Sequence, residues 1–263
     1  MQPKPEHLGP EYGAQFEDES MARAYHARPP YPAGVIELLD SLIVDRPRRV
    51  LELGAGSGDL AFPLARRVDA LDAVEPSLAM LALARERQAQ HDAPSNMRWF
   101  HESAEAHRFE GPYASVVAAE SLHWMDWAVV LPAIARCLAP RGYLTLVTVR
   151  QLSDLPWQPQ LLELIGRYST NRAYRPYDIA HELTARGLFE LAGQQTVFGA
   201  PFAQSADDYV ESFHSRNGFS RERMGAAAAA FDRELHALVR AHAPTGVVEA
   251  NVTSGVVWGK PRA

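Results

Sequence analysis

Two kinds of apolar pattern alternate along the first half of the chain. Short apolar runs bounded by polar or glycine positions predict buried β-strands at 48–53, 70–76, 97–103, 114–121 and 143–149. Apolar residues at helical spacing predict helices between these strands, at 34–43, 59–68, 77–90 and 125–138. Because strands that alternate with helices pair in parallel, the pattern predicts a doubly wound, Rossmann-like α/β sheet with helices on both faces.

The pattern changes after residue 150. From 151 to 190, aromatic residues and prolines are scattered and no run is long enough for a buried strand, which indicates a mostly helical cap insertion. Beyond it, the spacing predicts a strand, two helical segments and a last strand, at 196–203, 205–215, 220–243 and 247–260. We therefore expect a single domain with four segments: an N-terminal flap (1–32), a core (33–150), a cap insertion (151–190) and a completion of the sheet (191–263).

Composition narrows the class of protein. A chain of 263 residues, 47% hydrophobic and 22% charged, resembles an average globular protein. Its formal charge of −6 disfavours a nucleic-acid partner, since such partners favour a basic surface. No apolar run approaches the roughly 18 to 20 residues of a membrane span, so no membrane partner is expected. The single cysteine, Cys137, and a start unlike a signal peptide favour a cytoplasmic location.

The most informative stretch is VLELGAGSGDL, from Val50 to Leu60. Gly54, Gly56 and Gly58 follow the end of a strand, where residues without a Cβ allow backbone N–H groups to approach a ligand closely. Dinucleotides also bind at such turns, and Glu75, at the end of the second strand, could hold ribose hydroxyls in either class of protein. The glycine turn therefore predicts a nucleotide-like ligand, and its three glycines do not decide which class of ligand binds.

The spacing of the glycines and the charge beside them distinguish a dinucleotide from other nucleotide-like ligands. Dinucleotide-binding turns favour G-x-G-x-x-G, whereas this turn has G-x-G-x-G with Glu52 two residues before the first glycine. A carboxylate at that position would repel a diphosphate and would suit a ligand that carries an ammonium group. The turn therefore favours a cationic ligand.

At these residues the sequence resembles the class I S-adenosylmethionine-dependent methyltransferases, whose first motif is an acidic residue followed by G-x-G-x-G. EPS after the second strand, SAEA after the third and LAPRGYL before the fifth are similar to later motifs of that family. More narrowly, YHARPPYP and ESLHWMDW resemble a small-molecule branch that includes the trans-aconitate methyltransferases. The resemblance implies a mostly parallel sheet with an antiparallel last strand, S-adenosylmethionine as cofactor and S-adenosylhomocysteine as product.

The resemblance also implies a cofactor site, carried over position by position. Around the methionine and ribose groups it places Glu52, Gly54, Ala55, Gly56 and Gly58, with Glu75 on the ribose hydroxyls. At the adenine it places Leu78 under the ring and Ala104 and Glu105 at the edge. Next to the methionyl group it places Glu120 and Ser121, and from the flap Tyr25 and Arg28, with Arg28 on the cofactor carboxylate.

The acceptor side of the reaction is less defined. Methyl transfer is an in-line displacement with a neutral leaving group, so the expected work of the protein is positioning. Aromatic walls for the acceptor are available at Tyr31, Trp124, Trp157 and Tyr174. For a hydroxyl or amine acceptor, His123 is the candidate general base. For a carboxylate acceptor no base is needed, and the candidate clamps are Arg150, Arg172 and Arg175.

Two other functions stay open at this point. One is an NAD(P)-dependent oxidoreductase, and the other is a protein that keeps the fold and the cofactor without catalysing transfer. The histidines show no metal-binding spacing such as H-E-x-x-H, so no metal is expected. The sequence leaves the acceptor and the oligomeric state open.

Overall fold

The computed structural model describes residues 4–5, 8–9, 13–90, 94–175 and 177–262. The chain divides into two compact units. The first, here called the core unit, comprises Tyr31–Arg150, Pro176–Phe198 and Thr253–Ala263. The second, here called the helical unit, comprises Met1–Pro30, Gln151–Arg175 and Gly199–Val252.

Seven strands in the described residues form one sheet, in the order β3-β2-β1-β4-β5-β7-β6. Their bounds are β1 Arg49–Leu53, β2 Ala70–Val74, β3 Met97–Phe100, β4 Tyr113–Ala119, β5 Leu138–Ser153, β6 Phe189–Ser205 and β7 Val247–Pro261. β1 pairs in parallel with β2 and β4, β2 with β3, and β4 with β5. The sheet is mostly parallel with one antiparallel strand pair, which confirms the predicted fold class.

Among the described residues, α-helices lie in every connection between consecutive strands except that from β3 to β4. In chain order they are α1 Glu19–Ala24, α2 Ala33–Leu42, α3 Ala61–Ala65, α4 Leu78–Gln90, α5 Trp127–Cys137, α6 Gln158–Tyr168, α7 Ile179–Ala185, α8 Ala206–His214, α9 Arg221–Met224 and α10 Ala227–His242. Ser77 caps α4, because its hydroxyl accepts from the Met80 N–H at 3.2 Å. None of the helices in the described ranges is long and apolar enough to cross a membrane.

The core unit buries the apolar runs that predict its strands. Val50, Leu71, Val117 and Val147, one from each of four strands, belong to a single buried cluster. Helices α2 and α3 contribute to the same cluster, so these strands are covered by side chains rather than by water. This burial gives the parallel strands a rigid edge from which the polar residues at their ends project.

The helical unit has its own core. α10 packs against α6 and α8, and the rings of Phe213 and Phe231 lie 5.7 Å apart, edge to face, within it. The predicted helix at 220–243 is interrupted at Gly225, whose φ of +55° ends α9 before α10 begins. The helices predicted beyond the cap are therefore present, with one break.

The compact units divide the chain differently from the four expected segments. Residues 151–175 group with 1–30 and 199–252, since the aromatic faces of α6, α8 and α10 bury one another. Two strands are also much longer than their predicted spans. β5 begins at Leu138, which pairs with Tyr113 of β4 across a register shift, and β6 begins at Phe189 rather than at residue 196. These differences come from strand pairing, which local sequence patterns do not encode.

Candidate functional site

The chain leaves β1 through a turn built from glycines. All three have left-handed backbone angles, with φ of +71° at Gly54, +57° at Gly56 and +84° at Gly58. Residues with a Cβ rarely adopt such angles. The N–H groups of Gly54 and Ala55 donate to the Val74 carbonyl at 2.8 and 3.0 Å, which fastens the turn to the end of β2. The turn is thus held in one conformation by backbone hydrogen bonds.

Glu52 lies in β1, two residues before this turn, and is 2% exposed. Its Oε2 has no hydrogen-bond partner among the described residues. Burial raises the pKa of this carboxyl well above its ordinary value, and the nearby charges of Asp59 and Glu75 raise it further. A buried carboxylate of this kind gains its charge at a cost, and a cationic partner would offset that cost.

Glu75 follows β2 and joins the glycine turn to α4. One of its oxygens accepts from the Gly56 N–H at 2.8 Å and the other from the Ser77 N–H at 2.9 Å. Burial raises the pKa of this carboxyl, although the two N–H groups and His101 oppose the rise. Leu78, in the first turn of α4, is 63% exposed.

The end of β4 closes on the same turn. The Ser121 hydroxyl donates to the Leu53 carbonyl at 2.5 Å. A Cβ added to Gly54 would lie 2.5 Å from the Ser121 Cβ, so only glycine fits there. Glu120 is exposed and has a φ of +52°, a strained conformation for a residue with a side chain. Such strain is concentrated at functional sites, and this one lies next to the glycine turn.

The loop after β3 holds two further predicted residues. Ala104 is buried, and Glu105 is exposed. An oxygen of Glu105 accepts from the Asp126 N–H at 2.8 Å, just before α5 begins. Glu105 therefore connects the loop after β3 to the loop after β4.

His123 is buried among aromatic rings in the segment that follows β4. Its ring centroid lies 4.4 Å from that of Trp124 and 5.5 Å from that of Tyr177, both in edge-to-face geometry. Tyr31 is partly buried against the apolar cluster of the core unit. Of the predicted acceptor-side residues, His123, Trp124 and Tyr31 thus belong to the same unit as the glycine turn.

Tyr25 and Arg28 belong to the helical unit. The Arg28 Nε donates to the Ser215 hydroxyl at 2.8 Å, and its Nη2 donates to the Ser215 carbonyl. The guanidinium carbon lies 4.4 Å from the centroid of the Tyr25 ring. Within this unit the Arg28 side chain is held in place, and its contact with a cofactor stays a prediction.

Arg150 belongs to the core unit, whereas Trp157, Arg172, Tyr174 and Arg175 also lie in the helical unit. Trp157 is 3% exposed, and its indole N–H donates to the Tyr209 hydroxyl at 3.3 Å, so it is a core residue of this unit. Tyr174 is 53% exposed. The expectation that both line an acceptor pocket stays a prediction.

The candidate arginine clamps bind backbone carbonyls of their own unit. The two Nη atoms of Arg172 donate to the carbonyls of Gly166 and Arg167 at 3.0 and 3.2 Å, near the end of α6. Arg175 donates to the Tyr174 carbonyl at 2.7 Å. The Arg172 contacts satisfy carbonyls at a helix terminus, and both guanidinium groups keep further N–H donors. The side chain of Arg150 lies outside the described part of the structure.

The sequence analysis missed an ion pair that supports the glycine turn. Arg87 on α4 pairs with Asp59 and also donates to the carbonyl and the hydroxyl of Ser57, each at 3.0 Å. Asp59 directly follows the glycines and could have been noticed, but nothing in the sequence indicates that Arg87 reaches it. No group of three metal-ligating side chains occurs among the described residues.

The central part of the chain is similar to known proteins. Residues 50–142 match the family model described as a methyltransferase domain. An uncharacterised methyltransferase of Mycobacterium tuberculosis is 35% identical over 140 residues, which cover 53% of this chain and 54% of that protein. The chain thus spans about half the length of the curated relatives it matches.

Solved structures extend the likeness to the whole fold. A protein described as a type II methyltransferase from Anaeromyxobacter dehalogenans has a TM-score of 0.63 and 19% identity, over 89% of this chain and 99% of that chain. A methyltransferase from Geobacter sulfurreducens, crystallised with S-adenosylhomocysteine, has a TM-score of 0.51 and 14% identity, over 89% and 93%. At such identities these likenesses show the fold alone. Residues 50–142, which carry the glycine turn, thus match the methyltransferase-domain model, and the solved structures share the fold of this chain.

Proposed function

We propose that this chain transfers the methyl group of S-adenosylmethionine to an oxygen or nitrogen of a small-molecule acceptor and releases S-adenosylhomocysteine. The observation that carries the proposal is the buried, unpartnered Oε2 of Glu52 beside three left-handed glycines. The ammonium group of the cofactor would supply the missing partner, and a diphosphate would be repelled. The methyltransferase-domain match supports the same ligand.

In this proposal each strand end contributes to the cofactor site. The backbone of Gly54, Ala55, Gly56 and Gly58 lies along the methionine and ribose groups. Glu75 binds the ribose hydroxyls, because each of its oxygens accepts one backbone N–H and can accept a second donor.

The adenine and methionyl ends have their own residues. Leu78, which is 63% exposed, supports one face of the adenine and would lose apolar surface to the ligand. Ala104 and Glu105 border the adenine edge, and Glu120 and Ser121 border the methionyl group. The strained backbone of Glu120 fixes its side chain at the exit of β4.

His123 is the proposed general base for a hydroxyl or amine acceptor. Its ring is fixed by Trp124 and Tyr177, which gives it a defined direction for proton abstraction. Replacing His123 with Ala should lower turnover at least tenfold and leave cofactor affinity intact. Unchanged turnover would remove this role and favour a carboxylate acceptor, which needs no base.

The proposed activity is tested by incubating the full chain with methyl-labelled S-adenosylmethionine and a panel of carboxylates, phenols and amines. We expect a labelled product for one class of acceptor, detected by mass spectrometry, and its loss in Glu52→Gln. Tight binding of S-adenosylhomocysteine without transfer to any acceptor would favour a non-catalytic binding protein. Binding of NADH in place of S-adenosylhomocysteine would favour an oxidoreductase.

A further inference from the structure

The core unit contains a cavity of about 580 Å³ beside α5. Its position follows from the topology. The chain crosses from β3 to β4 and then from β4 to β5 in the same direction across the sheet, so right-handed connections place both crossovers on one face. The second crossover is α5, but the first, residues 101–112, consists of turns and extended chain. The surface that a crossover helix would cover is therefore left open.

His107 belongs to the lining of this cavity, and one of its ring nitrogens is unsatisfied. Its Nδ1 lies 2.7 Å from an oxygen of Glu102. A carboxylate only accepts, so Nδ1 carries a proton, and in this tautomer Nε2 is an acceptor. This Nε2 is buried and has no hydrogen-bond partner among the described residues. Phe100 and Phe109 contact the ring edge to face at 5.0 and 5.3 Å and hold it in this orientation.

A cation and an apolar wall complete the lining. Arg136, in the last turn of α5, is exposed, and its guanidinium makes no hydrogen bond or ion pair with the described residues. Phe109, Ala133 and Val129 supply apolar surface, and Val129 is 46% exposed. Burial raises the pKa of the Cys137 thiol to about 12, so this lining residue is uncharged. The cavity thus combines an acceptor, a cation and apolar side chains, with the carboxylate of Glu105 also in its lining.

We propose that this cavity is a second binding site, for a small carboxylate that has an apolar body and a hydroxyl or N–H donor. The carboxylate pairs with Arg136, the body packs on Phe109 and Ala133, and the donor binds the Nε2 of His107. The volume is in the range of small-molecule sites, about 300 to 1,000 Å³. Of the lining residues, Glu105 alone is shared with the proposed cofactor site, so the inference does not depend on methyl transfer.

The first test uses 4-hydroxybenzoate as the probe, titrated into the full chain and followed by calorimetry. This probe carries a carboxylate, an aromatic body and a donor. We expect saturable binding, with benzoate, which lacks the donor, and 4-hydroxybenzamide, which lacks the charge, each at least tenfold weaker. Absence of saturable binding, or equal affinity for the three compounds, would overturn the proposal.

Two substitutions then locate the probe. Arg136→Gln should weaken binding at least tenfold, and Ala133→Trp should abolish it by filling the cavity. Arg85→Gln, which removes an exposed arginine from α4 of the same unit, is the matched control and should change nothing. Circular dichroism checks that each variant is folded. If Ala133→Trp is not folded, the affinity of Arg136→Gln alone tests the site. Binding that survives Arg136→Gln, or that saturating S-adenosylhomocysteine displaces, would place the probe elsewhere and refute the site.

Discussion

Two buried carboxyl groups on neighbouring strands show how differently the core unit treats acidic residues. Glu52 of β1 is 2% exposed and Asp72 of β2 is 1% exposed. Glu52 pairs in register with Ala73, and Asp72 pairs with Leu51, so the two side chains point to opposite faces of the sheet. The two carboxyl groups differ in their hydrogen-bond partners and in the direction of their pKa shifts.

Asp72 is fully partnered. It accepts two hydrogen bonds from Arg98, at 2.7 and 2.8 Å, one from Arg49 at 3.2 Å and one from the Tyr113 hydroxyl at 2.8 Å. Burial pushes the pKa of Asp72 up, but the hydrogen bonds from Arg98 and Tyr113 and the two arginine charges outweigh it, so the pKa falls below its ordinary value. This carboxylate is built to be charged and stabilises the fold.

Glu52 has the same burial without the partners, and its pKa is raised. The contrast teaches that burial by itself does not mark a functional carboxyl, because Asp72 is equally buried. What distinguishes a functional carboxyl is the missing hydrogen-bond partner, because its charged form then depends on a ligand.

The largest expected effect on stability is at Asp72. Asp72→Asn leaves two guanidinium groups without their anion and should lower the free energy of unfolding by about 2 kcal/mol. The loss stays below that of a fully buried pair because the Arg98 side chain is 57% exposed. Urea denaturation measures it, with the exposed Glu86→Gln on α4 as the control.

The same substitution has a pH signature. The folded pKa of Asp72 is lowered, so its stabilisation is present above the unfolded pKa of about 3.8 and is lost as the pH falls through the folded value. The difference between wild type and Asp72→Asn should therefore persist at neutral pH and shrink in acid. A difference that grows in acid would contradict the partnered, charged state of Asp72.

Glu52→Gln should act in the opposite direction. The folded pKa of Glu52 is raised, so unfolding releases a proton, and wild type loses stability as the pH rises above about 4.5 towards the folded value. The slope is up to about 1.4 kcal/mol per pH unit. Glutamine resembles the protonated carboxyl and has no such slope, so the variant should be the more stable protein at pH 8 in the absence of ligand. Parallel stability curves for the two proteins would show that Glu52 is not strained by burial.

The smallest effect is expected for Tyr113→Phe. It removes one hydrogen bond from Asp72 and leaves the arginine contacts, so the free energy of unfolding should fall by about 1 kcal/mol. Denaturation curves of the single and double variants with Asp72→Asn measure the coupling between the two residues. A loss larger than that of Asp72→Asn would mean that the tyrosine, and not the arginines, holds the carboxylate.

Much of the fold could be predicted from sequence because parallel strands buried on both faces produce unbroken apolar runs, as in β1 and β4. The first residues of β5 and β6 could not be predicted from sequence. The residues APRG at 139–142 look like a turn, and pairing with β4 extends the strand through them.

Some features of the candidate site could likewise be predicted from sequence, and others could not. Glu52 and the glycines are close in sequence, so their chemistry is readable from the chain. The pairing of Arg87 with Asp59 joins residues from different elements and depends on how α4 packs. Trp157 illustrates a further limit, since an aromatic residue in a helical segment suits a pocket wall and a core equally well, and the structure buries it.

The most direct test of the account is calorimetry of S-adenosylhomocysteine binding to wild type and Glu52→Gln, in buffers of different ionisation enthalpy. We predict that wild-type affinity rises with pH, that binding releases a proton as Glu52 becomes charged, and that Glu52→Gln binds at least about a hundredfold more weakly. Glu86→Gln should match wild type. Equal affinity of Glu52→Gln and wild type, with a heat independent of buffer, would contradict the claim that Glu52 holds the cationic end of the ligand.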